Sequence, residues 1–533
     1  MSPSGSDTAA ASPSGNAVPP KHPLWRKIEE GLVALSLAML CFISVWCAPL
    51  YDTNYPYFSK VRVARSTVLA LGTNLLWLTL LAWVIIRVLH RRPSRRLHLA
   101  CHGLFFAALL LPLNFCRVHF LALPIHQIIT FVKQPIVAVS VLGLGALVLW
   151  QHRRVALVAA VTLGLLSPLA LLILAKLVLL SLDLESIALP VSGVLSPAVP
   201  VRAAQPRVVW IIFDETDQRL AFEQRPAGLL MPEFDRLRQE SLYATNAYAP
   251  GDSTAFSMPA LTIGRRLSAV SRNGPSDLAL TLADNGQVIS WRKTPSVFTA
   301  ARELGVNTGL VGWYHPYNRV LASGLNYCRW YPAPDFGPAE APKFGDAMMS
   351  QLGWTPSTLE YNQLFVNICR ASAADGRFLA TNQTYGLVLL HLPPPHRPGV
   401  YLPARGEFTT QPMPLTEGYF NNLALADREL GELRRAMEQC GQWSKTWLLL
   451  SADHSWRQSE IYDGKRDLRV PFLLKTPANG KPITYSSRMN TVLTHDLILA
   501  ILGGAVKGEQ DAVGWLDAHR SEEGPVRGKL TSH

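Results

Sequence analysis

Residues 207–215, with the sequence RVVWIIFDE, decide the fold, because a short β-branched and aromatic run ends there directly in two acids. Such a run is typical of a buried strand. Residues 384–393 (TYGLVLLHLP) and 445–454 (KTWLLLSADH) repeat the pattern, and each contains or ends in imidazole or carboxylate groups. One polar residue at a strand end is usually a turn former, whereas three such strands indicate a shared site.

Helix-like segments alternate with these strands. Residues 295–305, 421–440 and 489–504 have the character of helices, and 306–314 is a further strand. The alternation predicts an α/β domain with a mostly parallel central sheet. In such sheets, ligand-binding groups gather at the carboxyl ends of the strands. The side chains expected there are those of Asp214, Glu215, His391, His396, Asp453 and His454.

These carboxylates and imidazoles, with no thiolate among them, indicate a divalent metal. Zinc or manganese suits such ligands best, and calcium suits them less well. A metal site needs ligands from distant parts of the chain, and the three strands supply them.

Residues 251–266 (GDSTAFSMPALTIGRR) offer a candidate nucleophile, Thr254. A hydroxyl must be activated before it attacks, and a bound metal lowers its pKa and holds it in place. The alternative is that Ser253 or Thr254 caps a helix around residues 255–263. The two roles are compatible, because a helix N-terminus also stabilises the negative charge of a phosphate or sulfate.

The first part of the chain is apolar enough to span a membrane repeatedly. Hydrophobic residues make up 49% of the 533 residues, and charged residues only 17%. A membrane span takes about 20 residues. Five stretches reach or approach that length, and we expect a bundle of five transmembrane helices at about 31–50, 67–86, 98–116, 135–150 and 155–182.

Charge distribution excludes one class of function and sets the expected topology. Residues 1–206 carry 17 Lys and Arg against 6 Asp and Glu, a net +11, whereas residues 207–533 carry 33 against 32, a net +1. The excess lies in loops between apolar runs, so nucleic-acid binding is excluded. Ten of the flanking cations lie on the side of the N-terminus and five on the other. The positive-inside rule therefore predicts a cytoplasmic N-terminus and an external location for everything beyond residue 183.

The expected organisation is a disordered cytoplasmic tail (1–27), a transmembrane domain (28–182), a linker (183–205), a catalytic domain (206–506) and a polar tail (507–533). The amphipathic segment 117–134 is expected to lie along the outer membrane surface. Three of the seven cysteines, Cys328, Cys369 and Cys440, lie in the outer domain. They allow at most one disulfide there.

Five motifs in order resemble those of the sulfatases and their membrane relatives, the phosphoethanolamine transferases and lipoteichoic acid synthases, in the alkaline-phosphatase-like superfamily. They are VVWIIFDET, STAFSMPALTIGR, LVLLHLPPPHRPGVYLP, WLLLSADHS and LRVPFLLKTP. The resemblance covers roughly residues 206–505, and the predicted anchor before them is similar to that of the membrane transferases.

The resemblance implies a role for each matching residue. Thr254 stands at the nucleophile position, ten residues before Gly264. His391 and His396 match histidines near the leaving group or a second metal. His315, in LVGWYHPY, resembles the His of the sulfatase GKWH segment and would bind substrate. The metal ligands implied are Glu215, Asp214, Thr254, Asp453 and His454.

Three departures from the sulfatase pattern favour phosphoryl transfer. Thr254 cannot become formylglycine, the oxidised residue of sulfatases, and the sulfatase Arg position is Met258. The Lys of GKWH is also missing. By contrast, STAFSMP is close to the STAxSVP of the phosphoethanolamine transferases. Their further His after the Asp-His pair is absent from residues 455–471, so Lys465, Arg466 or Arg469 would hold the substrate phosphate.

The resemblance therefore implies an enzyme of the bacterial inner membrane that acts as a monomer outside the cytoplasm. It would transfer a phosphoethanolamine or phosphoglycerol head group from a membrane phospholipid to an envelope glycan or lipid through phospho-Thr254. One alternative is a hydrolase of the same fold, a phosphodiesterase or a sulfatase-like enzyme. Another is a lipid-binding protein with a decayed site, which would purify without stoichiometric metal.

Overall fold

The computed structural model describes residues 23–51, 57, 65–91, 94–119, 121, 128, 131–183, 192–201, 205–274, 276–333, 343–353, 358–477 and 482–527. The chain divides into two compact units. One comprises Met1–Cys47 and Val68–Asp183, and the other comprises Ala48–Thr67 and Leu184–His533. Most of the predicted tail 1–27 and much of the amphipathic segment 117–134 lie outside the described residues.

The apolar N-terminal region is helical throughout its described parts. Its helices are Pro23–Cys41, Ile43–Tyr51, Arg65–Arg91, Arg95–His119, Pro135–Trp150 and His152–Asp183. Three segments among the described residues are long and apolar enough to cross a membrane, namely Arg65–Val88, Arg96–Arg117 and His152–Leu179.

The other two predicted spans do not reach that length in the structure. The stretch 31–50 is divided between two helices, one ending at Cys41 and one beginning at Ile43. The helix Pro135–Trp150 has 16 residues, fewer than the roughly 20 that a bilayer requires. A count of five spans therefore stays a prediction.

A mixed sheet of nine strands organises the C-terminal unit, in the order β1-β9-β8-β10-β2-β13-β14-β3-β15. Its strands are β1 (Ser192–Val194), β2 (Val208–Phe213), β3 (Leu242–Ala244), β8 (Thr308–Trp313), β9 (Tyr327–Tyr331), β10 (Leu387–Leu392), β13 (Trp447–Ser451), β14 (Phe472–Lys475) and β15 (Ile483–Tyr485). Smaller sheets contain β4 (Ala247–Tyr248) with β16 (Met489–Asn490), β5 (Leu267–Arg272) with β6 (Leu278–Leu282) and β7 (Val288–Ser290), and β11 (Tyr401–Leu402) with β12 (Glu407–Phe408).

The centre of this sheet is parallel, as the sequence predicts. β2 pairs in parallel with β10 on one side and β13 on the other, and β10 in turn pairs in parallel with β8. The strands β14 and β3 run antiparallel to their neighbours on the β13 side. The prediction of an α/β fold with a mostly parallel central sheet is therefore confirmed.

Both faces of the sheet are buried, which explains why its central strands read as continuous apolar runs. Side chains of β2 alternate between two hydrophobic clusters, with Trp210 and Ile212 on one face and Ile211 and Phe213 on the other. Each such buried side chain contributes about 1.5–3 kcal/mol. The α-helices described in this unit beyond the sheet's first strand are Pro232–Gln239, Thr254–Ile263, Val297–Glu303, Tyr317–Val320, Phe344–Gln351, Thr358–Thr381, Leu415–Gln439, Glu460–Asp463, Thr494–Leu502 and Glu509–His519.

The predicted linker 183–205 is not wholly irregular. Within it, β1 pairs antiparallel with β9 and forms an edge of the sheet. The pairing is non-local, and the pattern of residues 192–194 alone does not indicate it. All seven cysteines are free thiols, and Cys328 and Cys369 are buried.

Candidate metal and nucleophile site

The candidate site lies where parallel strands end. Asp214 directly follows β2, and Asp453 and His454 follow β13 by two and three residues, whereas His391 lies near the end of β10. Because β2 pairs in parallel with both other strands, these side chains emerge at one edge of the sheet. The buried strands hold them rigidly.

Three of the predicted ligands form a compact cluster. Asp214, Asp453 and His454 are buried, and each offers one ligand atom within 4.8 Å of the others. His454 Nε2 lies 3.5 Å from Asp214 Oδ1 and 3.5 Å from Asp453 Oδ2. Two carboxylates and one imidazole are a donor set that suits zinc or manganese.

Unsatisfied polar atoms in this cluster fit a bound cation. In the described part of the chain, Asp214 Oδ1, Asp453 Oδ2 and His391 Nε2 are buried without a hydrogen-bond partner. His391 Nε2 lies 3.9 Å from Asp214 Oδ2. Burying polar atoms without partners is costly. Three such atoms at one place are explained by a metal that they would bind directly or face.

The pKa of Asp214 also reflects the burial of negative charge in this cluster. Burial raises the pKa of Asp214 well above its usual value, and the charges of Asp453 and Glu215 raise it further. Burial also opposes ionisation of Asp453, but the neighbouring His454 and His391 outweigh it and lower its pKa. Asp214 therefore ionises readily only when a positive charge joins the cluster.

Thr254 is the first residue of the helix Thr254–Ile263, and its side chain faces the cluster. Its Oγ1 lies 3.3 Å from Asp214 Oδ2 and 3.4 Å from His454 Nε2. The preceding residue, Ser253, occupies the N-cap position without a side-chain capping hydrogen bond. The positive end of the helix therefore lies beside the hydroxyl, and capping does not explain Thr254.

The loop before this helix is held by tight contacts. Ser257 Oγ accepts a hydrogen bond from Gly251 N at 3.1 Å and donates one to Gly251 O at 3.0 Å. A Cβ at Gly251 would lie only 2.6 Å from Phe256 Cβ. The glycine is thus required by the close approach of the loop to its own helix, and this approach fixes the direction in which Thr254 enters.

Glu215 lies at the site, but its side chain is engaged elsewhere. Its backbone has φ +64°, a conformation that non-glycine residues rarely adopt and that is found mostly at functional sites. Its Oε1 accepts a hydrogen bond from Arg457 Nε at 2.9 Å, and its backbone N–H donates to Asp453 Oδ1 at 3.2 Å. Glu215 is not among the three residues whose ligand atoms lie within 4.8 Å of one another, and its role as a ligand stays a prediction.

Arg457 is a cation at the site that the sequence did not indicate. Of the three cations proposed from sequence, Arg469 pairs with two carboxylates, and Arg466 donates to two main-chain carbonyls. Lys465 is exposed. Arg457 stands only four residues after Asp453, and that proximity in sequence was the available signal.

His391 is enclosed in the site. It is fully buried, and its Nδ1 shares a hydrogen bond of 2.8 Å with the hydroxyl of Tyr317. Burial lowers the pKa of His391 to about 4. A neutral imidazole with Nε2 directed toward Asp214 has the character of a ligand or of a support for one.

His396 lies at the more accessible side. It is partly exposed, and its Nδ1 lies 2.7 Å from the carbonyl oxygen of Arg397. A carbonyl only accepts, so Nδ1 carries the hydrogen and Nε2 is the atom able to exchange a proton. Burial lowers the pKa of His396, although the charge of Glu215 opposes the shift.

His315 supports Thr254 from behind. Its side chain is fully buried, and Nε2 lies 3.1 Å from the main-chain carbonyl oxygen of Thr254. Burial lowers the pKa of His315 to about 3. The structure thus brings His315 to the backbone of Thr254, whereas the resemblance assigns it to substrate binding.

A family model described as Sulfatase matches residues 206–505 of the chain. No curated protein matches it. Among solved structures, the PsFucS1 sulfatase from Pseudoalteromonas sp. is 15% identical with a TM-score of 0.41, covering 58% of this chain and 73% of its own.

Two further solved structures are similar. A protein in the alkaline phosphatase superfamily from Vibrio parahaemolyticus is 15% identical with a TM-score of 0.39, covering 60% of this chain and 71% of its own. The phosphonate monoester hydrolase of Agrobacterium radiobacter is 14% identical with a TM-score of 0.36, covering 56% and 74%.

Proposed function

Since the chain belongs to the sulfatase family, we propose that it is a membrane-anchored, metal-dependent head-group transferase. The donor is a membrane phospholipid, and the group is of the phosphoethanolamine or phosphoglycerol type. The acceptor is a hydroxyl or phosphate of an envelope glycan or lipid. The reaction takes place outside the bacterial inner membrane and proceeds through a covalent phospho-Thr254 intermediate.

The observation that carries this proposal is the position of the Thr254 hydroxyl. It lies against Asp214 and His454 at the start of a helix. Threonine cannot be oxidised to the aldehyde that sulfatases use, whereas its hydroxyl forms a phosphate ester directly. A nucleophilic threonine therefore favours a phosphorus centre over a sulfate ester.

A metal would be held by Asp214, Asp453 and His454, whose unsatisfied atoms fit it. Its charge would lower the pKa of the Thr254 hydroxyl and offset negative charge on the phosphoryl oxygens. The helix N-terminus adds its partial positive charge at the same place. Asp214 and His454 orient the hydroxyl toward the phosphorus.

In the first step, the Thr254 hydroxyl gives its proton to Asp214 Oδ2, 3.3 Å away, and its oxygen forms a bond to phosphorus as the bond from phosphorus to the diacylglycerol oxygen breaks. The departing oxygen takes a proton from Nε2 of His396, which enters this step protonated on both ring nitrogens. In the second step, the acceptor hydroxyl gives its proton to His396 Nε2, its oxygen bonds to phosphorus, and the Thr254 oxygen leaves and takes back the proton held by Asp214. Both side chains thereby return to their starting protonation states.

Arg457 contacts the substrate phosphate, a role that the sequence analysis assigned to other cations. Its side chain is 41% exposed while its Nε is bound to Glu215. The rest of the guanidinium presents further N–H donors in a planar fork that matches phosphate oxygens. Glu215 holds this fork beside the cluster.

Membrane anchoring has a physical advantage for such a reaction. Three helices in the described part of the chain are long and apolar enough to span a bilayer. Tethering the site near the leaflet raises the effective concentration of a lipid donor.

Turnover of phospholipid vesicles by the purified full chain tests this function. The measured quantities are diacylglycerol released and head group transferred to an added glycolipid acceptor, for the wild type, Thr254→Ala and Ser253→Ala. We expect T254A to lose both products and S253A to keep them, because Ser253 forms no capping bond. Diacylglycerol release that does not require Thr254 would overturn the proposal, and head group released only to water would identify a hydrolase.

A further inference from the structure

Tyr57 occupies an unexpected place in the fold. In sequence it lies between two apolar helices, Ile43–Tyr51 and Arg65–Arg91. In space it belongs to the same compact unit as the sulfatase domain. Its side chain is fully buried in the hydrophobic cluster on one face of the central sheet.

The hydroxyl of Tyr57 contacts a residue that holds the nucleophile. Tyr57 Oη lies 3.1 Å from His315 Nδ1, and His315 Nε2 lies 3.1 Å from the carbonyl oxygen of Thr254. Resting on the proposed role of Thr254 as the nucleophile, we propose that Tyr57 is a positioning residue for it. Tyr57 acts through His315 on the main chain of Thr254.

The direction of each hydrogen bond follows from the acceptors. The carbonyl of Thr254 can only accept, so His315 carries its hydrogen on Nε2. In the neutral imidazole, Nδ1 is then the acceptor, and the Tyr57 hydroxyl must donate to it. Tyr57 therefore satisfies the remaining nitrogen of the tautomer that holds Thr254 in place, a buried acceptor that is costly to leave without a donor.

Other contacts hold Tyr57 and His315 in this arrangement. Arg319 Nη1 donates to the carbonyl oxygen of Tyr57 at 3.2 Å, so the backbone of Tyr57 is also fixed. The ring of Trp291 meets that of His315 edge-on, with centroids 5.0 Å apart. The contact with Trp291 and full burial restrict rotation of the imidazole, and the hydrogen bond from Tyr57 holds its remaining nitrogen.

The reaction therefore depends on a residue that is distant from Thr254 in sequence. Tyr57 and His315 are separated by 258 positions. Displacing a reacting atom by about 1 Å can reduce the rate 100-fold. Loss of the Tyr57 hydroxyl leaves the fold intact but releases the nucleophile's carbonyl, so the effect appears in kcat rather than in substrate binding.

The test compares Tyr57→Phe with a matched control, Tyr485→Phe, in the full chain. Tyr485 belongs to the same hydrophobic cluster, and its hydroxyl donates to Asp517 at 2.8 Å, away from the candidate site. Each change removes one tyrosine hydroxyl and its hydrogen bond. With bis-para-nitrophenyl phosphate as the probe, we expect Y57F to lower kcat about 10-fold or more with KM unchanged. Y485F should keep the wild-type kcat at a similar melting temperature.

Substitutions of His315 separate positioning from packing. The amide nitrogen of His315→Gln lies near the place of Nε2 and can still donate to the Thr254 carbonyl, whereas that of His315→Asn lies nearer Nδ1. We expect H315Q to be more active than H315N. The double variant Y57F/H315Q should be no worse than H315Q alone, because Tyr57 then has no imidazole to act on.

A readout independent of activity completes the test. Nitrogen NMR of histidine-labelled protein reports whether Nδ1 of His315 accepts a hydrogen bond, and we expect that bond in the wild type and its loss in Y57F. A wild-type kcat in Y57F, fully multiplicative losses in the double variant, or an Nδ1 signal unchanged by Y57F would each overturn the proposal. Should T254A remain active, the proposed function fails, while the Nδ1 signal still decides the role of Tyr57.

Discussion

At the scale of single residues, the site depends on buried charges that require a cation. Asp214 and Asp453 lie together at 0% exposure, with an unsatisfied oxygen on each. Their mutual repulsion destabilises the metal-free protein and favours metal binding. The same charges therefore serve function at a cost to stability.

Asp214→Asn separates the effect of this carboxylate on stability from its effect on metal binding. Without metal, the variant should unfold at an equal or higher temperature than the wild type, because one of two repelling carboxylates is removed. With zinc or manganese at about 100 times its Kd, the wild type should gain about 2.7 kcal/mol, whereas D214N should gain much less. Thermal unfolding with and without chelator measures both, and an equal gain in the variant would contradict the assignment of Asp214 as a ligand.

Arg457 provides the second prediction at this scale. We expect Arg457→Ala to raise KM for a phosphodiester probe roughly 10-fold or more, because a charge-assisted hydrogen bond contributes about 1.5–3 kcal/mol. Arg466→Ala is the control, since that guanidinium is used by main-chain carbonyls. Steady-state kinetics of the two variants decide the matter, and equal KM values would remove Arg457 from substrate binding.

The site residues at strand ends were predictable from the sequence, whereas those placed by tertiary contacts were not. Asp214, Asp453 and His454 were predictable because parallel strands bring their carboxyl ends to one edge. The pairing of Glu215 with Arg457 and the burial of Tyr57 beside His315 arise from chain segments far apart. No local pattern encodes such contacts.

At the scale of elements, a buried carboxylate joins two helices. Asp427, in the helix Leu415–Gln439, accepts a hydrogen bond of 2.8 Å from the backbone N–H of Phe234, in the first turn of Pro232–Gln239. Capping of this kind stabilises the shorter helix. Burial raises the pKa of Asp427 to about 7, so at higher pH the contact holds an ionised group in an apolar setting.

This shift predicts a pH dependence with a definite sign. The pKa of Asp427 in the folded protein lies above the unfolded value of about 3.9. The contribution of protonated Asp427 to stability is therefore fully present below that value. It is lost as pH rises through about 7. Asp427→Asn keeps the acceptor oxygen and removes the titration. As pH rises between these two values, the free energy of unfolding should fall less steeply in D427N than in the wild type. Parallel curves of unfolding free energy against pH for the two proteins would refute the raised pKa.

Elements with a regular apolar pattern were predictable, and those formed by long-range pairing were not. β2, β8, β10 and β13 all lie where buried runs of the sequence indicate strands. β1 is three residues long and gains its hydrogen bonds from β9 across more than a hundred positions. Likewise, the apolar stretch 31–50 gives no signal for the division between Cys41 and Ile43.

At the scale of the whole molecule, composition separates an apolar, basic region from a charge-balanced enzyme domain. The family match begins at residue 206, beyond the three helices that, among the residues described, are able to span a bilayer. The proposed orientation, with the enzyme domain outside, rests on ten cations against five in the segments that flank the predicted spans.

Cys440 offers a direct probe of that orientation. It is an exposed free thiol in the enzyme unit, whereas Cys328 and Cys369 are buried. A membrane-impermeant maleimide should label Cys440 in intact spheroplasts, and Cys440→Ser should lose that label. Labelling that appears only after lysis would place the domain in the cytoplasm.

The central claim is a covalent phosphoryl group on Thr254, and peptide mass spectrometry tests it most directly. The wild-type chain and Thr254→Ala are incubated with phospholipid vesicles, quenched in acid and digested. The account predicts a mass increment on the Thr254 peptide of the wild type that equals the transferred head group and is absent from T254A. An unmodified Thr254 in protein that is releasing diacylglycerol under the same conditions would contradict it.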